Sequence, residues 1–231
     1  MVQETGDDTL SFRKPVFEMI FSGLLAGKGI MDFVFDENNL AEYMAADKTL
    51  DFMHPAIDTK AKELLFGIPD EIGKAKAAYE FVRDEIRHSF DSGSERVTKT
   101  ATEVLLYGEG TCYSKTMLLA ALLRHEGFAA GFCYQRIARN DIPDSGYFLH
   151  AMNVVYFHSL GKWVRLDPRG GKDNPAKFST DEEFLTYKVR PEMDEIDFPT
   201  IFSRPLRSTL DSLDASANCA DLMHKHLPTN L

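Results

Sequence analysis

One stretch limits the fold of this chain more than any other: GEGTCYSKTMLLAALLRHEG, residues 108–127. Its apolar spacing predicts a helix from about Cys112 to His125, with Thr111 at the N-cap position and Gly127 at the C-terminal stop. Leu118, Leu119, Leu122 and Leu123 make its apolar face. Three strand-like runs follow, Phe128 to Ala138, Phe148 to Phe157 and Lys162 to Leu166. A polar loop, Arg139 to Gly146, separates the first two, and a turn around Ser159–Gly161 the last two. One helix followed by adjacent strands predicts an α+β fold in which an antiparallel sheet packs on the cysteine-bearing helix.

Upstream, Asp58 to Phe66 reads as a short helix closed by Gly67 and Pro69. Asp70 caps a clearer one, whose Ile72, Ala75, Tyr79, Val82 and Ile86 recur at helical spacing. Residues 36–48 form a short helix in this reading, 91–100 a polar loop, and Ala101 to Tyr107 a helical turn. Residues 1–14 are expected to be disordered and 15–35 to be a buried mixed segment. A tail helix is expected over Ser208–His226, with Leu210, Leu213, Ala217 and Ala220 on one face. The domain reading is an N-terminal extension (1–47), a core (48–171) and a partly helical C-terminal extension (172–231).

Composition narrows the function. The 231 residues carry a formal charge of −10, which repels phosphate backbones and anionic lipid surfaces, so neither nucleic acid nor membrane is an expected partner. The N-terminus lacks a basic segment followed by an apolar core, and 15–35 is too polar to span a bilayer, so a cytoplasmic location is expected. Three widely spaced cysteines, Cys112, Cys133 and Cys219, argue against a disulfide framework and against zinc.

Cysteine is a useful nucleophile as thiolate, and a helix N-terminus stabilises that anion. Cys112 stands at such a position, behind the tight Gly108–Gly110 turn that allows a substrate close approach. The competing reading is that Cys112 is simply a small buried residue, as most free cysteines are. Cys133, mid-strand, fits that description, and Cys219 in the polar tail is expected to be inert. A nucleophilic cysteine needs a base and the base an orienting group. Among seven histidines, His150 lies at a strand start beside a loop, and Asp167 ends the next strand before Pro168. A core histidine and an Asp-Pro turn are the plainer alternatives for these two. Their geometry also carries a difficulty: a tight turn on Leu160–Gly161 would set Asp167 opposite Val154, roughly 13 Å along the strand from His150. A bulge, a turn shifted toward His158, or strand twist is then required.

The segments GEGTCYSKTMLLAALLRHEGFAAGF (108–132), LHAMNVVYF (149–157) and KWVRLDPRGG (162–171) together resemble the transglutaminase-like superfamily. DFMHPAI (51–57) and AYEFVRDEIRHSFD (78–91) resemble the lead-in helices of its bacterial stand-alone members. The resemblance spans about residues 48–171. It implies a papain-like fold with Cys112 as nucleophile, His150 as base and Asp167 as its orienting group. The implied chemistry is amide hydrolysis or acyl transfer through a thioester, on a peptide or amide substrate. Gly110, Tyr113 and Arg136 are candidate substrate contacts, and Arg139 lies near the expected cleft. No metal or cofactor is expected: nothing resembles the calcium sites of animal transglutaminases, and no basic loop suits the acyl-coenzyme A of arylamine N-acetyltransferases. The lead-in helix often ends with Tyr in this family, and here the residue is His88. The rival reading is a catalytically silent interaction module whose cleft is covered by the tail helix or by 15–35. A redox-sensing thiol would lack a nearby resolving cysteine.

Overall fold

A computed structural model describes residues 33–140 and 145–231. The expectations for 1–14, most of 15–35 and part of the 139–146 loop lie outside the described residues. A two-residue strand β1 (Val34–Phe35) and a 3₁₀ turn (Leu40–Met44) precede helix α1 (Pro55–Leu65). Asp70 accepts a hydrogen bond from Gly73 N–H at 2.8 Å and starts α2 (Glu71–Glu80). A single π-helical turn, Phe81–Glu85, closes it, and Ile86, expected in the helix, is already extended. Strand β2 (Arg87–His88) follows, then α3 (Ala101–Tyr107), β3 (Glu109–Gly110) and α4 (Cys112–His125).

The main sheet is built from β4 (Ala130–Ala138), β5 (Tyr147–Phe157), β6 (Lys162–Leu166) and β7 (Ile196–Asp197). Its order is β6-β5-β4-β7, and every pairing is antiparallel. The fold is therefore the α+β arrangement expected, with α4 packed on the sheet. β8 (Thr200–Ile201) pairs in parallel with β1.

Helix α4 has no solvent face. Every residue from Cys112 to Arg124 is buried, because the sheet covers one side and α1, α2 and α3 the others. The expected single apolar face is corrected accordingly. Its polar residues stay buried by finding partners: Ser114 Oγ meets Thr98 Oγ1 at 2.9 Å, and the Arg124 guanidinium donates to the carbonyls of Ala45 and Ala130. Each fully buried leucine here contributes about 2 kcal/mol. Gly127, at φ +83°, ends the helix, and Phe128 N–H returns to Leu123 O at 3.0 Å.

The opposite sheet face packs Cys133, Met152, Val154 and Trp163 against Leu40, Tyr43 and Ile201. The tail differs from the expectation of one helix. It is α5 (Arg207–Ala215), a break at Ser216–Asn218, then a short turn from Cys219 to His226. Ser216 Oγ donates back to Ser212 O at 2.7 Å and Asn218 caps Asp221 N–H at 2.8 Å, so both side chains compete with helix continuation. Ala217 and Ala220 are exposed as a result. Among the described residues, no helix is long and apolar enough to cross a membrane.

Candidate active site

The β5–β6 register decides whether His150 and Asp167 meet. Phe157 pairs with Lys162 and Asn153 with Leu166, so the turn occupies 158–161, one residue nearer His158 than a tight turn on Leu160–Gly161. Continuing that register puts Asp167 opposite Met152, two residues from His150 rather than four. That offset is about 7 Å, the spacing of diagonal cross-strand neighbours. His150 Nε2 lies 2.8 Å from Asp167 Oδ2, with both side chains almost wholly buried.

Asp167 is itself held. Thr186 N–H donates to Oδ2 at 2.8 Å and Arg169 N–H to Oδ1 at 3.1 Å. Tyr79 donates its hydroxyl to the Asp167 carbonyl at 3.0 Å. The Tyr187 ring stands edge-on to the His150 imidazole, centroids 4.9 Å apart. With Nε2 on Asp167, the other ring nitrogen of His150 is left for the thiol of Cys112, whose partners are His150 and His88.

Cys112 is the first residue of α4, at the floor of a cleft of about 430 Å³. It is 9% exposed. Thr111 occupies the N-cap position, but its buried hydroxyl makes no capping bond, so the helix N-terminus stays free of a side-chain oxygen. Gly110 sits where a Cβ would come within 2.7 Å of Ser114 Oγ, so only glycine fits without a shift.

The electrostatics follow from these contacts. Burial opposes ionisation of Cys112, but hydrogen bonds from His150 and then His88 outweigh it and bring the thiol down to about 6. Burial likewise disfavours charged His150, yet the Asp167 carboxylate and then Cys112 raise it to about 9. Burial pushes Asp167 up, and His150 with Thr186 pulls it down to about 2. These directions favour a thiolate beside an imidazolium. By contrast, burial, with the carboxylates of Asp197, Glu183 and Asp167, drives Cys133 far above its ordinary range, and Cys219, 3% exposed, donates its thiol to Arg96 O.

The remaining candidates separate. Tyr113 lines the cleft and donates its hydroxyl to Leu149 O at 2.8 Å. Gly110 lies behind the cysteine and does not line the cleft. Arg136 points elsewhere: it donates to Asp194 O and to Asn230 Oδ1, with its guanidinium over the Tyr147 ring. Arg139 lines the cleft instead. His88, Arg169, Tyr187, Met223, His224 and Leu227 line it too, and the sequence reading did not assign them. For His88 a signal existed, since it replaces a family tyrosine. The tail residues carried none beyond the expectation that this segment might reach the cleft.

The family model of the transglutaminase-like superfamily matches residues 58–168, and that segment is similar to a transglutaminase-like core. No curated protein matches significantly. Among solved structures, the chain is similar to a protein described as a "Putative Cysteine Protease" from Cytophaga hutchinsonii, at 18% identity and a TM-score of 0.46. The match covers 58% of this chain and 43% of that one, so this chain spans less than half of that protein's length.

Proposed function

We propose that the protein is a cysteine-dependent amide hydrolase or acyl transferase, with Cys112 as nucleophile, His150 as acid and base, and Asp167 as the orienting carboxylate. The observation that carries this reading is the buried 2.8 Å contact between His150 Nε2 and Asp167 Oδ2, which turns the other imidazole nitrogen toward a cysteine at a helix N-terminus. The Cys112 thiolate attacks the amide carbonyl carbon. Imidazolium His150 gives its proton to the leaving nitrogen as the C–N bond breaks, leaving a thioester on Cys112. The acceptor then loses a proton to His150 and attacks the thioester, and the C–S bond breaks to restore thiolate and imidazolium. Water as acceptor yields a carboxylic acid, and an amine yields a new amide. The Cys112 N–H supplies one donor to the oxyanion.

A second reading, a catalytically silent module, draws on the 9% exposure of Cys112 and on the tail residues Met223, His224 and Leu227 along the cleft. Alkylation by iodoacetamide decides between the two. Under the enzyme reading, Cys112 reacts well below pH 8 and His150→Ala abolishes that low-pH reactivity. A Cys112 that reacts only as an ordinary thiol, or not at all, overturns the triad.

A further inference from the structure

The oxyanion of a tetrahedral intermediate on Cys112 can accept a second hydrogen bond besides that of the Cys112 N–H, and each preorganised donor at such a site is worth about 10²–10³ in rate. Most donors that line the cleft are already committed. The Arg169 guanidinium is spent on both oxygens of Asp91, at 3.0 and 2.9 Å, and on Gly170 O. Arg139 is held by Tyr147 O and Met223 O, Tyr113 by Leu149 O, and His150 by Asp167. Asn140 and His224 are exposed at the rim.

His88 is different. It lines the same cleft, is 6% exposed, and its ring lies edge-on to Phe90 at 5.5 Å. Its Nδ1 is buried with no hydrogen-bond partner, and Asp91 Oδ1 stands 3.6 Å away, an ion-pair distance beyond a hydrogen bond. A buried polar atom without a partner calls for an explanation, and this ring is also a hydrogen-bond partner of the Cys112 thiol. The position is fixed by the backbone: His88 pairs with Gly110, and Ser89 N–H donates to Gly110 O at 3.0 Å. Strands β2 and β3 therefore tie the His88 backbone to Gly110, two residues before Cys112.

We propose that His88 is a second donor at the reacting carbonyl, its ring N–H binding the oxygen that becomes negative when Cys112 attacks. This rests on the triad reading. It makes His88 a catalytic residue separate from His150: no proton leaves His88, and no bond to it forms or breaks. The ring N–H stabilises the negative oxygen, and when the intermediate collapses the electron pair reforms the carbonyl as the leaving nitrogen departs with the His150 proton.

Two probes of Cys112 separate the role from a structural one. Iodoacetamide is displaced at carbon and develops no carbonyl oxyanion, whereas p-nitrophenyl acetate acylates through one. Both rates are measured from pH 8 upward, above the thiol's value of about 6, with Cys112→Ala as the blank. Because His88 also helps lower the thiol, the variants are compared on each one's alkaline plateau, where His88→Leu is expected to leave alkylation within about threefold of wild type and to slow acylation by about 10²-fold. His88→Gln, which keeps an N–H donor, is expected to recover most of that loss. If His88→Leu does not fold, His88→Asn, whose shorter reach removes the contact, carries the same two readouts. Parallel loss of both rates, or no loss of either, overturns the proposal while leaving the triad standing. A wild-type Cys112 without low-pH reactivity overturns the triad and this proposal together, so the two failures are distinguishable.

Discussion

Asp167 lies one residue past the last rung of β6 and two residues out of register with His150, yet its carboxylate meets the His150 ring at 2.8 Å. The bond joins a strand start to a strand end, so it depends on the turn at 158–161 keeping its length.

That bond gives the first prediction. Asp167→Asn keeps the shape but removes the charge that raises His150, and it reverses the hydrogen-bond polarity toward the ring. Acylation by p-nitrophenyl acetate is expected to fall by about 10³-fold. Alkylation of Cys112 should lose its low-pH plateau, and a pH profile of iodoacetamide rates checks it.

The pH dependence of acylation has two limbs. Thiolate forms as pH rises through about 6, the value to which His150 and His88 bring Cys112 against burial. The imidazolium that protonates the leaving group is lost as pH rises through about 9. Rate against pH with an amide substrate should be a bell between these values, and they belong to the coupled pair. Alkylation needs only the thiolate and should not fall on the alkaline side. A profile rising only above pH 8 would contradict the assignment.

Acid sensitivity follows from Asp167. Its folded value, about 2, lies below the ordinary carboxylate value of 3.8, so the stability it contributes is fully present above the higher value and lost as pH falls through the lower one. Urea midpoints of wild type should drop between about pH 4 and pH 2, and Asp167→Asn should flatten that drop.

Lys115, one turn past the cysteine, is fully buried and donates to the carbonyls of Ile86 at 2.6 Å, Arg169 at 2.7 Å and Arg83 at 3.3 Å. Burial presses the amine down to about 7, while the three carbonyls act to keep its proton. The side chain thereby ties α4 to the strand that carries His88 and to the loop after Asp167. Lys115→Met strands those carbonyls and should cost about 3 kcal/mol in chemical denaturation. An unchanged midpoint would show that the carbonyls find other partners.

Gly170 stands at φ +64°, where an added Cβ would lie 2.1 Å from Arg83 O. Gly170→Ala must move the backbone three residues after Asp167. A loss of more than about 1 kcal/mol is expected, with slowed acylation. Gly93→Ala, also at positive φ but with open space around it, is the control that isolates the clash.

Much of this arrangement was legible in the sequence. The helix was read at the residues where it forms, because Thr111, the leucine spacing and Gly127 mark its ends. The three long strands stand within two residues of their expected ends. His150 and Asp167 were chosen for their places beside loops, and the turn shifted toward His158 was one of the ways they could meet. What the sequence did not disclose is long-range. Strand β7 is two residues long and pairs with Gln135 and Arg136 only through the path of the tail. Arg136 looked like a cleft residue from its strand, but its partners Asp194 and Asn230 lie 58 and 94 residues away. His88, Tyr187 and the tail residues reach the cleft by packing that no local pattern encodes.

The Asp167 carboxylate takes a hydrogen bond from Thr186, Tyr187 stands edge-on to His150, and Leu149 N–H donates to Pro228 O at 2.9 Å. All three partners are translated after the cysteine, the histidine and the aspartate. A ribosome that has just released Asp167 therefore holds a chain with the reactive residues written but their supports still missing. The residues that hold the triad in place come last, and a nascent chain cannot finish its nucleophile until the residues that wall it have emerged.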